Sequence, residues 1–505
     1  MPTMINYGKL AFCFFFLAHT LQGQTGSSSL GSLEGKQYKP EVLREDFRIL
    51  RKALEEAHPG LYIYNNRQKM NAYFDSIYSS INNPETELQF YSTISACISK
   101  IGCGHTPCFL PKEFVRDFED LKCLLFPLKV KILDRRIFVQ ANYSTDSSIV
   151  PGAEIKSING EPASSIIDRI ITHLSSDGYN LSLKYHLLEE DFAHYYAELI
   201  NQPLWFRIQY SLPESPLLTE HIFPALYYPQ IEQIAEMRFG KNVLTPPKEK
   251  PLEFQLTADK IGLLRITSFD GRDISHAGQH FHSFIRNVFD SLRQKGVNDL
   301  VIDLRNNVGG DDDYGWYLYS FLSDTAFRYY KRVELSTDKR FSILRYTSHP
   351  LCINFMHMFS KRDKEGHILW THGSYTHVHQ PNKYNYWGKV WILINGESFS
   401  TTAEFASMVH AHNKGLFVGE ETGGASEGDN SGMEILLTLP GTHLRIRIPL
   451  FRYISAINDP ILKGRGIIPD YTIQPTIEDV IQKKDPEKDF LLTLIRSRNC
   501  KGCGR

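Results

Sequence analysis

Three short runs constrain the fold more than anything else in this chain. Residues 300–304 (LVIDL), 390–394 (VWILI) and 416–419 (LFVG) are almost wholly apolar, and each runs into a polar loop rich in glycine, asparagine or serine. Unbroken apolar runs of this length read as strands buried on both faces, the condition of a parallel sheet covered by helices. A further strand is expected at 261–266. Amphipathic helices are expected at 276–295, with Phe281, Phe284, Val288 and Leu292 on one side, at 311–322 and at 402–411. Such repetition implies parallel crossovers, so residues 253–480 are predicted to form an α/β domain. Within it, 325–386 is rich in Tyr, His and Lys and reads as an insertion.

The chain has 505 residues, too many for one core, and the rest divides by pattern. Leu43, Phe47, Leu50, Leu54 and His58 recur at helical spacing before Pro59-Gly60 stops the run. Helical patterns follow at 70–81 and 87–101, so 37–118 reads as a small helical domain containing Gly104-His105-Thr106. Residues 121–215 change character. Short β-type runs at 126–132 and 136–139 precede Pro151-Gly152-Ala153-Glu154-Ile155, and Asn159-Gly160 supplies two residues tolerant of positive φ at a turn. A helix at 164–174 and a strand at 205–210 complete an order that resembles a PDZ domain, with 176–203 in excess of that fold. The proline-rich stretch 216–252 reads as a connector and 481–505 as a C-terminal tail. Residues 1–24 read as an export signal: Lys9, a short apolar run at 10–18, and small-residue cleavage chemistry near Gly23. That run is too short to cross a bilayer, which takes about 20 apolar residues. Export to the periplasm, cell surface or exterior is therefore expected, without an integral membrane span.

Formal net charge is −1 and no long Lys/Arg run occurs, which argues against nucleic acid as the main partner. Cys97, Cys103, Cys108 and Cys123 surround His105 in sequence but lack the C-x2-C spacing of a zinc site. A local disulfide or buried thiols are expected instead. Cys500-Lys501-Gly502-Cys503 lacks the strand–helix setting of a redox motif.

The chemistry gathers at three loops. Ser400 lies between the strand 390–394 and the helix at 402–411, at the mouth of the predicted sheet. It can cap that helix, or it can be a nucleophile whose neighbouring N–H groups hold an oxyanion. Arg305-Asn306-Asn307-Val308-Gly309-Gly310 and Gly419-Glu420-Glu421-Thr422-Gly423-Gly424 end the adjacent strands. Their glycines let backbone amides approach a ligand.

Taken together, "LVIDLRNNVGG", "VWILINGESFSTTAEFA", "FVGEETGG" and "GRGIIPD" at 464–470 occur in the order found in the tail-specific, or C-terminal processing, serine peptidases. The resemblance covers roughly 40–475. It implies an N-terminal helical domain, a PDZ-like β domain and a peptidase domain with the crotonase/ClpP-like β/α core. It implies Ser400 as nucleophile, a protein or peptide substrate and no metal or other cofactor. Members with a Ser/Lys dyad carry the lysine where Ala425 stands here, and Lys414 precedes the strand. The tricorn-like branch uses a histidine ahead of the PDZ region, which corresponds to His105. That branch also has a serine beside the histidine, and here the position is Gly104. Amides of Gly309, Gly310 and Thr401 are expected to hold the oxyanion, and Glu427, Asp429 and Asp459 are candidates for an orienting acid. Two other readings stand beside this one. The first is a non-catalytic ligand- or peptide-binding protein on a peptidase scaffold. The second is a metal-dependent hydrolase built on His105 and its cysteines or on Asp311-Asp312-Asp313.

Overall fold

The computed structural model describes residues 36–117, 123–213, 215–247, 249–373, 375–458 and 463–502. The segment read as an export signal and Asp459 lie outside these. The protein is a mixed α/β, multidomain molecule. Its main sheet has the strand order Leu252–Leu256, Ile261–Ile266, Asp299–Asp303, Lys389–Ile394, Leu416–Gly419, Tyr471–Thr472. Every neighbouring pair is parallel except the first. The apolar runs work as expected of strands covered on both sides. Leu300, Ile302, Ile392 and Ile394 face the large core, while Val301, Trp391, Leu393 and Val418 face the other way. That second face is closed by Leu491 and Ile495 of the helix Pro486–Gly502, so the segment set apart as a tail contributes core.

The helical start comprises Pro40–Ala57, Arg67–Ser80 and Glu87–Ser99. Asn66 caps the second and a Thr86/Gln89 capping box opens the third. After it the chain turns through 102–107, and the short strand Cys108–Phe109 joins a second, seven-stranded sheet. There it pairs with Ile446 and Arg445 of the long strand Arg445–Ser455, and the Arg447 N–H donates to the Pro107 carbonyl at 3.2 Å. The region read as an insertion supplies further strands to that sheet, Tyr330–Leu335, Ser360–Arg362 and Ile368–Trp370.

Between these lies an antiparallel sheet ordered Ser215–Pro224, Trp205–Leu212, Glu154–Ile158, Arg136–Asn142, Leu128–Leu133, packed on the helix Ala163–Ile171 around its own core. The reading of 216–252 as a connector is corrected: it holds the edge strand Ser215–Pro224 and the helix Tyr228–Phe239. Its prolines misled because they sit where their missing N–H costs nothing. Pro224 ends an edge strand and Pro229 lies in the first helical turn. Cys97, Cys103, Cys108, Cys123 and Cys352 are free thiols, so among the described residues there is no disulfide near His105. Among the described residues no helix is long and apolar enough to cross a membrane.

Candidate active site

Side chains of the two central strand-end loops lace them together. Asn395 accepts the Asn306 N–H at 2.9 Å and donates to Asn306 Oδ1 at 2.6 Å. Ser398 Oγ donates to the Leu304 carbonyl at 2.9 Å, and the Phe399 N–H donates to the Asn307 carbonyl at 3.1 Å. Gly309 lies so close that a Cβ there would sit 2.8 Å from the Ser400 Cβ. The third loop is tied in by the Gly423 N–H, which donates to the Ser398 carbonyl at 2.9 Å.

This lacing forces Ser400 into φ 54°, ψ −129°, at the entry to the helix Thr401–Ala411. A non-glycine residue in that conformation costs of order 1–3 kcal/mol. The hydroxyl makes no cap to the helix, so the capping alternative does not describe it. It points instead at two side chains. His105 Nε2 is 3.2 Å from Ser400 Oγ, and Asp429 Oδ2 is 3.3 Å away. We expect Ser400→Gly to unfold with a free energy about 1 kcal/mol higher than Ser400→Ala, because both lack the hydroxyl and only glycine escapes the Cβ penalty at positive φ. Denaturant midpoints measured at constant slope check this.

His105 reaches the site because the strand Cys108–Phe109 anchors its turn to the strand Arg445–Ser455. His58 Nε2, 3.0 Å from Thr106 Oγ1, and the Thr106 N–H donating to the Cys103 carbonyl at 3.1 Å fix the turn itself. The imidazole stacks on Phe399, ring centroids 4.7 Å apart, and is buried. Burial, with the Arg447 charge adding to it, pushes its pKa down to about 3, so the ring is neutral at pH 7. Gly104 has a steric cause: a Cβ there would lie 2.6 Å from the Phe399 ring, so the serine of the tricorn-like pattern has no room.

The acid candidates separate. Asp429 is buried beside the pair, with Oδ2 3.7 Å from His105 Nε2 and Oδ1 accepting from Ser431 Oγ at 2.7 Å. Burial raises its pKa to about 6 against the lowering effect of the Ser431 and Ser400 hydroxyls. Glu427 instead accepts from Tyr64 OH at 3.1 Å and from the Gly464 N–H at 2.9 Å. Lys414 pairs with Asp324 at 2.8 Å, and Ala425 is buried. The Gly309 N–H is engaged by Asn307 Oδ1 at 3.0 Å, which removes it as an oxyanion donor in this conformation. The backbone amides of Gly310 and Thr401 are not spent on other protein groups among the described residues. Thr401 Oγ1 donates to the Gly310 carbonyl at 2.9 Å, holding the two together.

Sequence reasoning gave no role at this site to Glu404 or Asp177, and did not place Asp312 beside Ser400's helix. Asp312 Oδ1 lies 3.5 Å from Thr401 Oγ1, and desolvation followed by the charges of Asp429, Asp313 and Asp311 raises its pKa to about 7. Glu404 accepts from Tyr330 OH at 2.5 Å and is pushed well above the usual carboxylate range by burial and by Asp429 and Asp312. Asp177, buried, is raised to about 8 by burial and then Asp429. The Asp311-Asp312-Asp313 run was legible as a helix start or as acids for a metal-dependent hydrolase; nothing local announces that its middle member faces Ser400's helix.

A paired hydroxyl and neutral imidazole at the mouth of a parallel sheet define a serine-hydrolase type of site. Residues 260–473 match the model of peptidase family S41. The protein is a serine peptidase whose residues 260–473 are similar to that family. The fold is similar to the crystal structure of mature CPAF, at 14% identity and TM-score 0.59, covering 90% of this chain and 96% of that one. It is likewise similar to the structure of mature CPAF complexed with lactacystin, at 14% identity and TM-score 0.60, covering 90% and 97%. A comparison of the sequence with curated proteins finds no match.

Proposed function

We propose that the protein is an exported endopeptidase that cleaves extended protein or peptide substrates through an acyl-enzyme on Ser400. The observation that carries this reading is the 3.2 Å approach of His105 Nε2 to the hydroxyl of a serine held at positive φ. His105 takes the Ser400 proton as Oγ bonds to the scissile carbonyl carbon. Amides of Gly310 and Thr401 receive the oxyanion, as pre-oriented donors do in acyl transfer. The tetrahedral species then breaks its C–N bond, and the imidazolium gives its proton to the departing amine. Water attacks the ester, its proton passing to His105, and His105 returns a proton to Ser400 Oγ as the ester C–O bond breaks and the acid is released. Asp429 carries negative charge beside Nε2 and stabilises the imidazolium. The antiparallel β region, read as PDZ-like, receives the substrate's C-terminal end as an added strand.

The competing reading is a binding protein on the same scaffold. The separating experiment is incubation with a fluorophosphonate followed by peptide mapping. We expect one phosphonylated residue, Ser400, whose formation a peptide substrate slows. No labelling of the folded protein would leave the binding reading standing.

A further inference from the structure

We propose that Asp177 is a positioning residue for catalysis, holding the His105 turn in register with Ser400. The proposal rests on the reading of Ser400 and His105 as the reacting pair. Asp177 lies in 176–203, the segment in excess of the PDZ-like pattern, and is buried. Its Oδ1 accepts the Gly104 N–H at 2.8 Å, one residue before the histidine, and its Oδ2 faces the Ala425 N–H at 3.5 Å. A single carboxyl group thus bridges the loop that brings the imidazole and the loop packed under Ser400.

The turn that carries Asp177 is itself clamped from several sides. The Gly178 N–H donates to the Gly102 carbonyl at 3.0 Å and the Tyr179 N–H to the Gly464 carbonyl at 2.8 Å. Asn180 Nδ2 donates to the Thr422 carbonyl at 2.8 Å, and Ser182 Oγ to the Glu421 carbonyl at 2.9 Å. His186 Nε2 and Glu420 Oε2 are 2.8 Å apart. These bonds fix Asp177 to the peptidase loops, so its hold on Gly104 sets where His105 stands. Gly104 has no side chain of its own to lock the turn, and Phe399 occupies the space one would need. Misplacing a reacting group by about 1 Å costs on the order of 100-fold in rate, so loss of one such bond is read mainly in kcat.

The test uses the full-length protein with Asp177→Ala and Asp177→Asn. The asparagine keeps a side-chain oxygen for the Gly104 amide; the alanine does not. We expect Asp177→Ala to lower kcat on a peptide substrate, and the rate of fluorophosphonate labelling, by about 30- to 100-fold with KM within twofold. Asp177→Asn should restore both to within about threefold of the parent. If the alanine variant does not fold, as judged by near-ultraviolet circular dichroism, Asp177→Ser is read in its place, its hydroxyl being too short to reach Gly104. A folded variant with lowered thermal stability but parental kcat and labelling rate would mean a merely structural role and overturn the proposal. So would an asparagine variant as impaired as the alanine. A parent protein that does not label at Ser400 overturns the reacting pair and this proposal with it. A parent that labels beside an alanine variant that labels equally overturns this proposal alone.

Discussion

Ser400→Ala is expected to lower kcat by about 100,000-fold while the protein stays folded. The size follows from what the hydroxyl does: it is the only group of the proposed pair that bonds to the substrate carbon. Alanine keeps the Cβ and therefore the positive φ strain, so the backbone should not relax. It removes one hydrogen bond to Asp429 at 3.3 Å and the contact with His105 at 3.2 Å, which together should change the unfolding free energy by less than about 1.5 kcal/mol. The hydroxyl also lowers the Asp429 pKa, so the same substitution should move that carboxyl further up. Parallel measurement of peptide hydrolysis, labelling and thermal unfolding checks all of this. Hydrolysis retained within tenfold by a purified, folded Ser400→Ala protein would remove Ser400 from the chemistry.

The parts of the molecule legible in the sequence are those whose signal is local. Residues 300–304 and 390–394 announce themselves as buried strands because both faces are apolar, and the loops after them are marked by glycine and asparagine. What was not legible depends on distant pairing. That Cys108–Phe109 would dock on Arg445–Ser455, and so swing His105 across to Ser400, is a register decision between segments more than three hundred residues apart. The resemblance to a histidine-using branch proposed the partner; only the strand pairing explains how it arrives. The Ser215–Pro224 strand was hidden because its prolines read as breakers without knowledge that the strand is an edge. Asp177 was hidden because a lone aspartate in a segment that fits no pattern carries no periodicity and no motif. Gly104 looked like a lost serine, whereas the Phe399 ring and the Asp177 bond give it a positive cause.

Asp429→Asn should lower kcat/KM at pH 8 by roughly a thousandfold and abolish the acid limb expected near pH 6 in the parent. The magnitude comes from the charge it removes. A carboxylate and an imidazolium 3.7 Å apart attract by about 4 kcal/mol at an effective dielectric constant of 20, close to three powers of ten in rate. The pH follows from the carboxyl, which burial raises to about 6. Above that value Asp429 is ionised and steadies the proton on His105 in the transition state. Below it Asp429 is neutral, the support is gone, and kcat/KM falls tenfold per unit. The histidine does not supply this limb, since burial keeps its own pKa near 3. The acids facing Asp429 act in the same direction. Asp312 at about 7, Glu434 at about 7 and Asp177 at about 8 gain charge as pH rises, and each added negative charge favours the imidazolium. The rate should therefore keep climbing gently between pH 6 and 8 instead of reaching a flat plateau, and part of that slope should survive in Asp429→Asn, displaced to lower pH because the Asp429 charge no longer raises these acids. The step at 6 should not survive. Its persistence in the asparagine variant would assign the titration to another group and strip Asp429 of the role proposed for it.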